Sequence, residues 1–154
     1  MSGKIDAQLK SLGITLPAAP APAANYVPFV QSGTMLFVSG QISQGADGLI
    51  RGKLGAGMGV DEGAVAARQC GLALLAQARA ACGGDLDRIQ RVVKLTGFVN
   101  STPDFTDQPE VINGCSNLMV EVFGEAGRHA RAAVSVPSLP RGVAVEVDAI
   151  FEVK

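Results

Sequence analysis

Residues 143–153 constrain this chain more than any other part of it. Val143, Val145, Val147, Ala149, Phe151 and Val153 alternate there with Ala144, Glu146, Asp148, Ile150 and Glu152. A period of two sustained this long means a β-strand, because successive side chains leave opposite faces of the pleat. Glu146 and Asp148 therefore share a face, about 6–7 Å apart at a rise of about 3.3 Å per residue. The preceding stretch alternates as well, with Arg131, Ala133 and Ser135 on one face and Ala132, Val134 and Val136 on the other. Pro137 and the pair Leu139 and Pro140 break the chain between the two strands, and Arg141 with Gly142 helps to turn it. Paired as a hairpin, the strands would let their polar faces coincide and set a guanidinium beside two carboxylates. Such an arrangement is either a ligand site or a wet sheet face.

Upstream, Ile5, Leu9 and Leu12 fall at helical spacing, and Gly13 supplies a stop. Residues 17–24 (PAAPAPAA) read as a stiff, extended arm. We expect residues 1–24 to form this helix and arm, and residues 25–154 the domain proper. Residues 34–39 predict a buried strand closed by Gly40, and a short strand is expected around 49–53. Residues 61–82 form the clearest helix, rich in Ala and Leu, with acids in the first turn, Arg79 near the last, and glycines beyond. A strand over 88–99, a turn, a second helix over 108–123 and the two C-terminal strands complete an α+β domain with helices on one face of a sheet. On the opposite face this reading places Val92, Phe98 and Ile150 beside Lys94, Thr96, Arg131, Glu146 and Asp148. A face of mixed apolar and charged groups predicts self-association.

At 154 residues the chain is long enough for one domain with its own core. A net charge of -1 offers no field for nucleic acid, and no basic run or basic-aromatic interleaving appears. No stretch is long and apolar enough to span a bilayer, and residues 1–14 lack the apolar centre of a signal peptide. Cys70, Cys82 and Cys115 lack metal-type spacing and are odd in number, which favours reduced thiols and a cytoplasmic setting.

No catalytic motif is strong on its own. Gly55, Gly57 and Gly59 lack the remainder of a phosphate-binding loop and read as a plain loop. His129 is the only histidine, so a multi-histidine metal site is excluded, and neither a Ser-His-Asp nor a Cys-His arrangement stands out. An exposed turn is the expected place for His129, with the rim of a site as the alternative. The cysteines read as core fillers. Arg131 is different, because a guanidinium opening a strand in apolar company suits bidentate capture of a carboxylate. It could equally neutralise Glu146 in a salt bridge. Glu146, in turn, could hold a water or exchange a proton, and enclosure between subunits would raise its pKa.

The Tyr26 region, Ser39 to Ile42, Ala67 to Gln69, Val99 followed by Asp104 and Phe105, Ala130 and Arg131 leading to Leu139 and Pro140, and the terminal Val145 to Ala149 together resemble the YjgF/RidA family, often labelled endoribonuclease L-PSP. The leading residues look like those of a subgroup with an N-terminal extension. The resemblance implies a chorismate-mutase-like mixed sheet with two helices on one face. It also implies a homotrimer with a central barrel, and ligand clefts between subunits. For activity it implies a hydrolase that converts reactive 2-imino acids to 2-oxo acids and ammonia without metal or organic cofactor. Arg131 would hold the substrate carboxylate, Glu146 would position the attacking water, Tyr26 would lie at the pocket, and backbone groups near Gly40 would contribute to binding. Ala132 and Ala133 stand where archetypal members usually carry Ser and Cys, which leaves a non-catalytic 2-oxo-acid sensor or chaperone-like module as the alternative. Ribonuclease activity has only the family label behind it, since the chain has no basic stripe and no histidine pair.

Overall fold

The computed structural model describes residues 3–19, 21 and 25–154. In chain order its elements are α1 (Lys4–Ser11), β1 (Phe29–Ser32), β2 (Met35–Ile42), β3 (Gln44–Gly45), β4 (Gly48–Leu49), β5 (Lys53–Leu54), β6 (Gly57–Met58), α2 (Val60–Ala81), β7 (Ile89–Asn100), α3 (Gln108–Phe123), β8 (Ala130–Val136) and β9 (Val145–Val153). The main sheet has the order β1-β2-β9-β7-β8. Its pairs are antiparallel except β7 with β8, so the sheet is mixed and the architecture is α+β, with α2 and α3 on one face.

The alternation produces a strand with a clean division of faces over Val145–Val153, while Val143 and Ala144, both buried, precede it. Val145, Val147, Ala149, Phe151 and Val153 are buried, while Glu146, Asp148, Ile150 and Glu152 occupy the other face. The buried row meets α2, whose Ala66, Ala67, Cys70, Leu74, Leu75 and Ala78 are sealed from solvent. That helix is covered by the sheet on one side and by α3 on another, which explains how few charges it carries. The helices approach closely at glycines: a Cβ on Gly114 would run into the Ala64 carbonyl, and one on Gly71 would come within 2.8 Å of Leu118.

α1 is tied to the body of the domain. The Asp87 carboxylate accepts the backbone N–H groups of Lys4 and Ile5 at 2.9 and 2.8 Å, and these bonds hold its pKa below the ordinary range. Leu9 packs into the main core. Half of the proposed arm, residues 20 and 22–24, lies outside the described residues.

Three expectations are corrected. β2 does not close at Gly40 but continues to Ile42 through an irregularity between Val38 and Gln41. The expected strand around 49–53 is divided between β4 and β5, each pairing with its own short neighbour. β8 does not form a hairpin with β9: it lies parallel to β7 at the edge of the sheet, with β7 between it and β9. Parallel pairing demands a crossover, and α3 supplies it.

Candidate functional site

Strand register decides which polar groups can meet. Glu146 sits opposite Phe98 and Asp148 opposite Thr96, all on the sheet face that no helix covers. Phe37 is opposite Ile150 on β2, and Val134 is opposite Phe98 on β8, so apolar side chains frame the acids. Phe37, Val134 and nearby Val30 are all exposed. Val92 does not belong to this face as expected. A register shift between Val92 and Lys94 turns Val92 into the core, where it is fully buried.

Gly40 and Glu146 are brought together. Any Cβ at position 40 would strike the Glu146 carboxylate, with its Cδ at 3.0 Å and Cγ at 3.3 Å. The irregularity in β2 therefore presents bare backbone to the acid, and only glycine leaves the room. Partial burial pushes the Glu146 pKa above its ordinary 4.5, and the neighbouring Asp148 pushes it the same way. Asp148 is raised as well, chiefly by burial, with opposition from the Thr96 hydroxyl that donates to it and from Lys94. A carboxylate whose charged form is disfavoured is a stronger base than an exposed one.

Tyr26 is exposed and lies just before β1. Ser39 ties this segment to the Gly40 region: its N–H donates to the Pro28 carbonyl at 2.9 Å and its hydroxyl to the Val27 carbonyl at 2.7 Å. Tyr26 thus stands next to a segment anchored beside Gly40.

Arg131 does not join them within one chain. It pairs with Leu95, a core residue, so its side chain leaves on the helix side of the edge strand. There its Nη1 donates to Asn113 Oδ1 at 2.7 Å and to Ser116 Oγ at 3.2 Å, both on α3. The expected coincidence of Arg131 and Glu146 on one face of a hairpin is therefore corrected: the two leave opposite faces of one sheet.

His129 is not on an exposed turn. It is half-buried, with Nδ1 at 2.6 Å from the Gly127 carbonyl and Nε2 at 2.9 Å from Ser116 Oγ. A carbonyl only accepts, so Nδ1 carries the proton. Burial above all, together with Arg131, holds the His129 pKa below 6.5 against the contrary pull of the Gly127 bond. In the neutral ring, Nε2 then accepts the Ser116 O–H. Gly127, His129, Ser116, Arg131 and Asn113 form one continuous polar chain. Asn113 and Ser116 were missed in the sequence, where the only available signal was their helical i, i+3 spacing on α3.

All three cysteines are buried and unpaired by disulfides. Burial raises the thiol pKa of Cys70 well above its ordinary value and that of Cys115 to about 12, which suits the expected role of core fillers. The 55–59 segment is not a plain loop throughout: Gly55 and Ala56 turn the chain, Gly57 opens β6, which pairs with β5, and Gly59 caps α2. Among the described residues no group of three or more His, Cys, Asp or Glu side chains is placed to hold a metal, and no helix is long and apolar enough to cross a membrane.

A family model described as "YjgF/chorismate mutase-like, putative endoribonuclease" matches residues 6–152. Protein TCP17 of Trypanosoma cruzi is 56% identical over 153 residues, covering 98% of this chain and 95% of TCP17. The crystal structure of Atu1372 from Agrobacterium tumefaciens, a protein of unknown function, superposes with a TM-score of 0.90 at 50% identity, covering 97% of this chain and 92% of that one. E. coli TdcF with bound serine superposes with a TM-score of 0.63 at 26% identity, covering 88% of this chain and 94% of that one.

Proposed function

Because the chain belongs to the YjgF/chorismate mutase-like family, we propose that it is a cofactor-independent enamine/imine deaminase, hydrolysing small 2-imino acids to 2-oxo acids and ammonia. The observations that support this reading are a carboxylate of raised pKa set against bare backbone at Gly40 and, on the other face of the sheet, the Arg131 guanidinium of β8 held by Asn113 and Ser116 of α3. Serine bound to TdcF supports a small, carboxylate-bearing ligand.

In this mechanism Arg131 grips the substrate carboxylate, and Glu146 takes a proton from the attacking water. The imine carbon is already electrophilic, so orientation supplies most of the acceleration. Backbone near Gly40 and the Tyr26 side chain line the pocket. Since Arg131 and Glu146 leave opposite faces of one sheet, a shared site requires that a second copy bring its edge strand to the uncovered face of the first. The exposed Val30, Phe37 and Val134 on that face favour such burial. A closed trimer, with its clefts between subunits, meets this requirement.

The test is direct. An amino-acid oxidase generates imines in situ, and 2-oxo-acid formation is followed with and without the protein. Wild type should accelerate it and Arg131→Ala should not; equal rates would overturn the assignment. Saturable binding of 2-oxobutyrate without imine turnover would select a sensor in place of an enzyme. A monomer by sedimentation would remove the shared cleft.

A further inference from the structure

The Gly127, His129 and Ser116 chain meets the geometric requirements for an activated nucleophile, independently of imine chemistry. A base must hydrogen-bond the nucleophile, an orienting group must hold the base in the right tautomer, and donors must stand where negative charge develops. Ser116 Oγ lies 2.9 Å from His129 Nε2, the His129 Nδ1–H is held by the Gly127 carbonyl at 2.6 Å, and Arg131 Nη1 stands 3.2 Å from the same Oγ. The backbone carbonyl takes the orienting place that an aspartate fills in the familiar triad.

We propose that Ser116 is a catalytic nucleophile, activated by His129 and directed toward the hydrolysis of small acyl esters, with Arg131 and Asn113 stabilising the oxyanion. Ser116 Oγ adds to the ester carbonyl carbon while its proton passes to His129 Nε2. The carbonyl electron pair moves onto oxygen beside the guanidinium. When it returns, the bond to the alcohol oxygen breaks and that oxygen leaves with the proton from His129. Water then gives a proton to His129 and adds to the acyl carbon held on Ser116. Collapse releases the acid and returns the proton to Ser116 Oγ, so ester and water yield acid and alcohol. Asn113 Oδ1 accepts from Arg131, which leaves its amide N–H groups as further donors to the oxyanion.

The inference shares Arg131 with the deaminase reading but needs neither Glu146 nor a second copy. Its test is a covalent one. A small alkyl fluorophosphonate is added to the full-length protein and the adduct is located by peptide mass spectrometry. The expected result is a single adduct on Ser116, formed about 10²-fold more slowly in His129→Gln. The wild-type labelling rate should rise with pH, level off near or below pH 6.5 as the ring becomes neutral, and stay flat above. The charged groups near His129 that could distort this profile are Arg131 on β8, Arg128 before it, Arg91 on β7 and Glu152 on β9. A folded protein that gives no Ser116 adduct, or a rate that His129→Gln leaves unchanged, would overturn the proposal and leave Ser116 as a brace for Arg131. Should His129→Gln fail to fold, a wild-type rate climbing steadily to pH 9 overturns it equally. Imine turnover by a protein that resists labelling would refute this inference alone, and labelling without imine turnover would refute only the deaminase reading.

Discussion

Replacing Gly40 by alanine tests whether bare backbone at the β2 irregularity is what seats the Glu146 carboxylate. Position 40 is not among the glycines with positive φ, so its backbone accepts an alanine and the perturbation is steric. The new Cβ would lie against Glu146 Oε2, 3.0 Å from Cδ and 3.3 Å from Cγ. Non-bonded carbons rest at about 3.5–4.0 Å, so the carboxyl group must retreat by roughly 0.5–1 Å. Turning Glu146 away from its preferred rotamer costs about 0.5–1.5 kcal/mol, and leaving it in place costs about 1–3 kcal/mol of overpacking. A catalytic group displaced by about 1 Å loses up to about 10²-fold in rate. Denaturant unfolding of wild type, Gly40→Ala, Glu146→Ala and the double variant isolates the contact. Gly40→Ala should cost about 1 kcal/mol or more when Glu146 is intact and close to nothing in the Glu146→Ala background. In the single variant, kcat/KM for imine hydrolysis should fall. An equal cost in both backgrounds, or unchanged turnover, would refute the reasoning.

Four further outcomes follow from the same structure. The Glu146 pKa is raised by burial and by Asp148, so activity that needs its charged form should fail on acidification at a pH above 4.5. Asp148→Asn should move this acid limb of the kcat/KM profile downward; an unmoved limb would count against the coupling. The linkage has a fixed sign: a raised folded pKa means the contribution of Glu146 to stability is fully present below its unfolded value and is lost as pH rises through the folded one, so Glu146→Gln should raise Tm at pH 7. Gly114→Ala drives a methyl into the Ala64 carbonyl, and should lower stability by about 1–3 kcal/mol, read as a fall in the denaturant midpoint. Finally, an aromatic disulfide reagent should titrate no thiol promptly in the native protein and all three cysteines after denaturation, since each is buried and its thiolate disfavoured.

Most elements were legible because the signals for them are local. The bounds of α3 coincide with the expected 108–123, where helical periodicity runs into Gly124, and α2 is displaced from the expected 61–82 by only one residue at each end. The strand faces of β9 follow directly from alternation. The assignment of faces failed where a strand's phase depended on its neighbour. At Val92 a register shift in β7 reversed the alternation, and a slip of one residue moves every following side chain to the other face of a sheet.

The candidate site divides in the same way. The chain by itself determined that Glu146 and Asp148 share a face, that Arg131 opens a strand, and that glycine stands at position 40, because these depend on neighbours a few residues away. Only the tertiary structure decided that β8 lies beside β7 and not β9, which sends Arg131 toward α3 and away from Glu146. It alone brought Gly40 under the Glu146 carboxylate and joined Ser116 to His129. Strand pairing and helix docking are settled by burial of the whole apolar surface at once, and a backbone carbonyl such as that of Gly127, which orients the histidine, leaves no mark in a sequence of side chains.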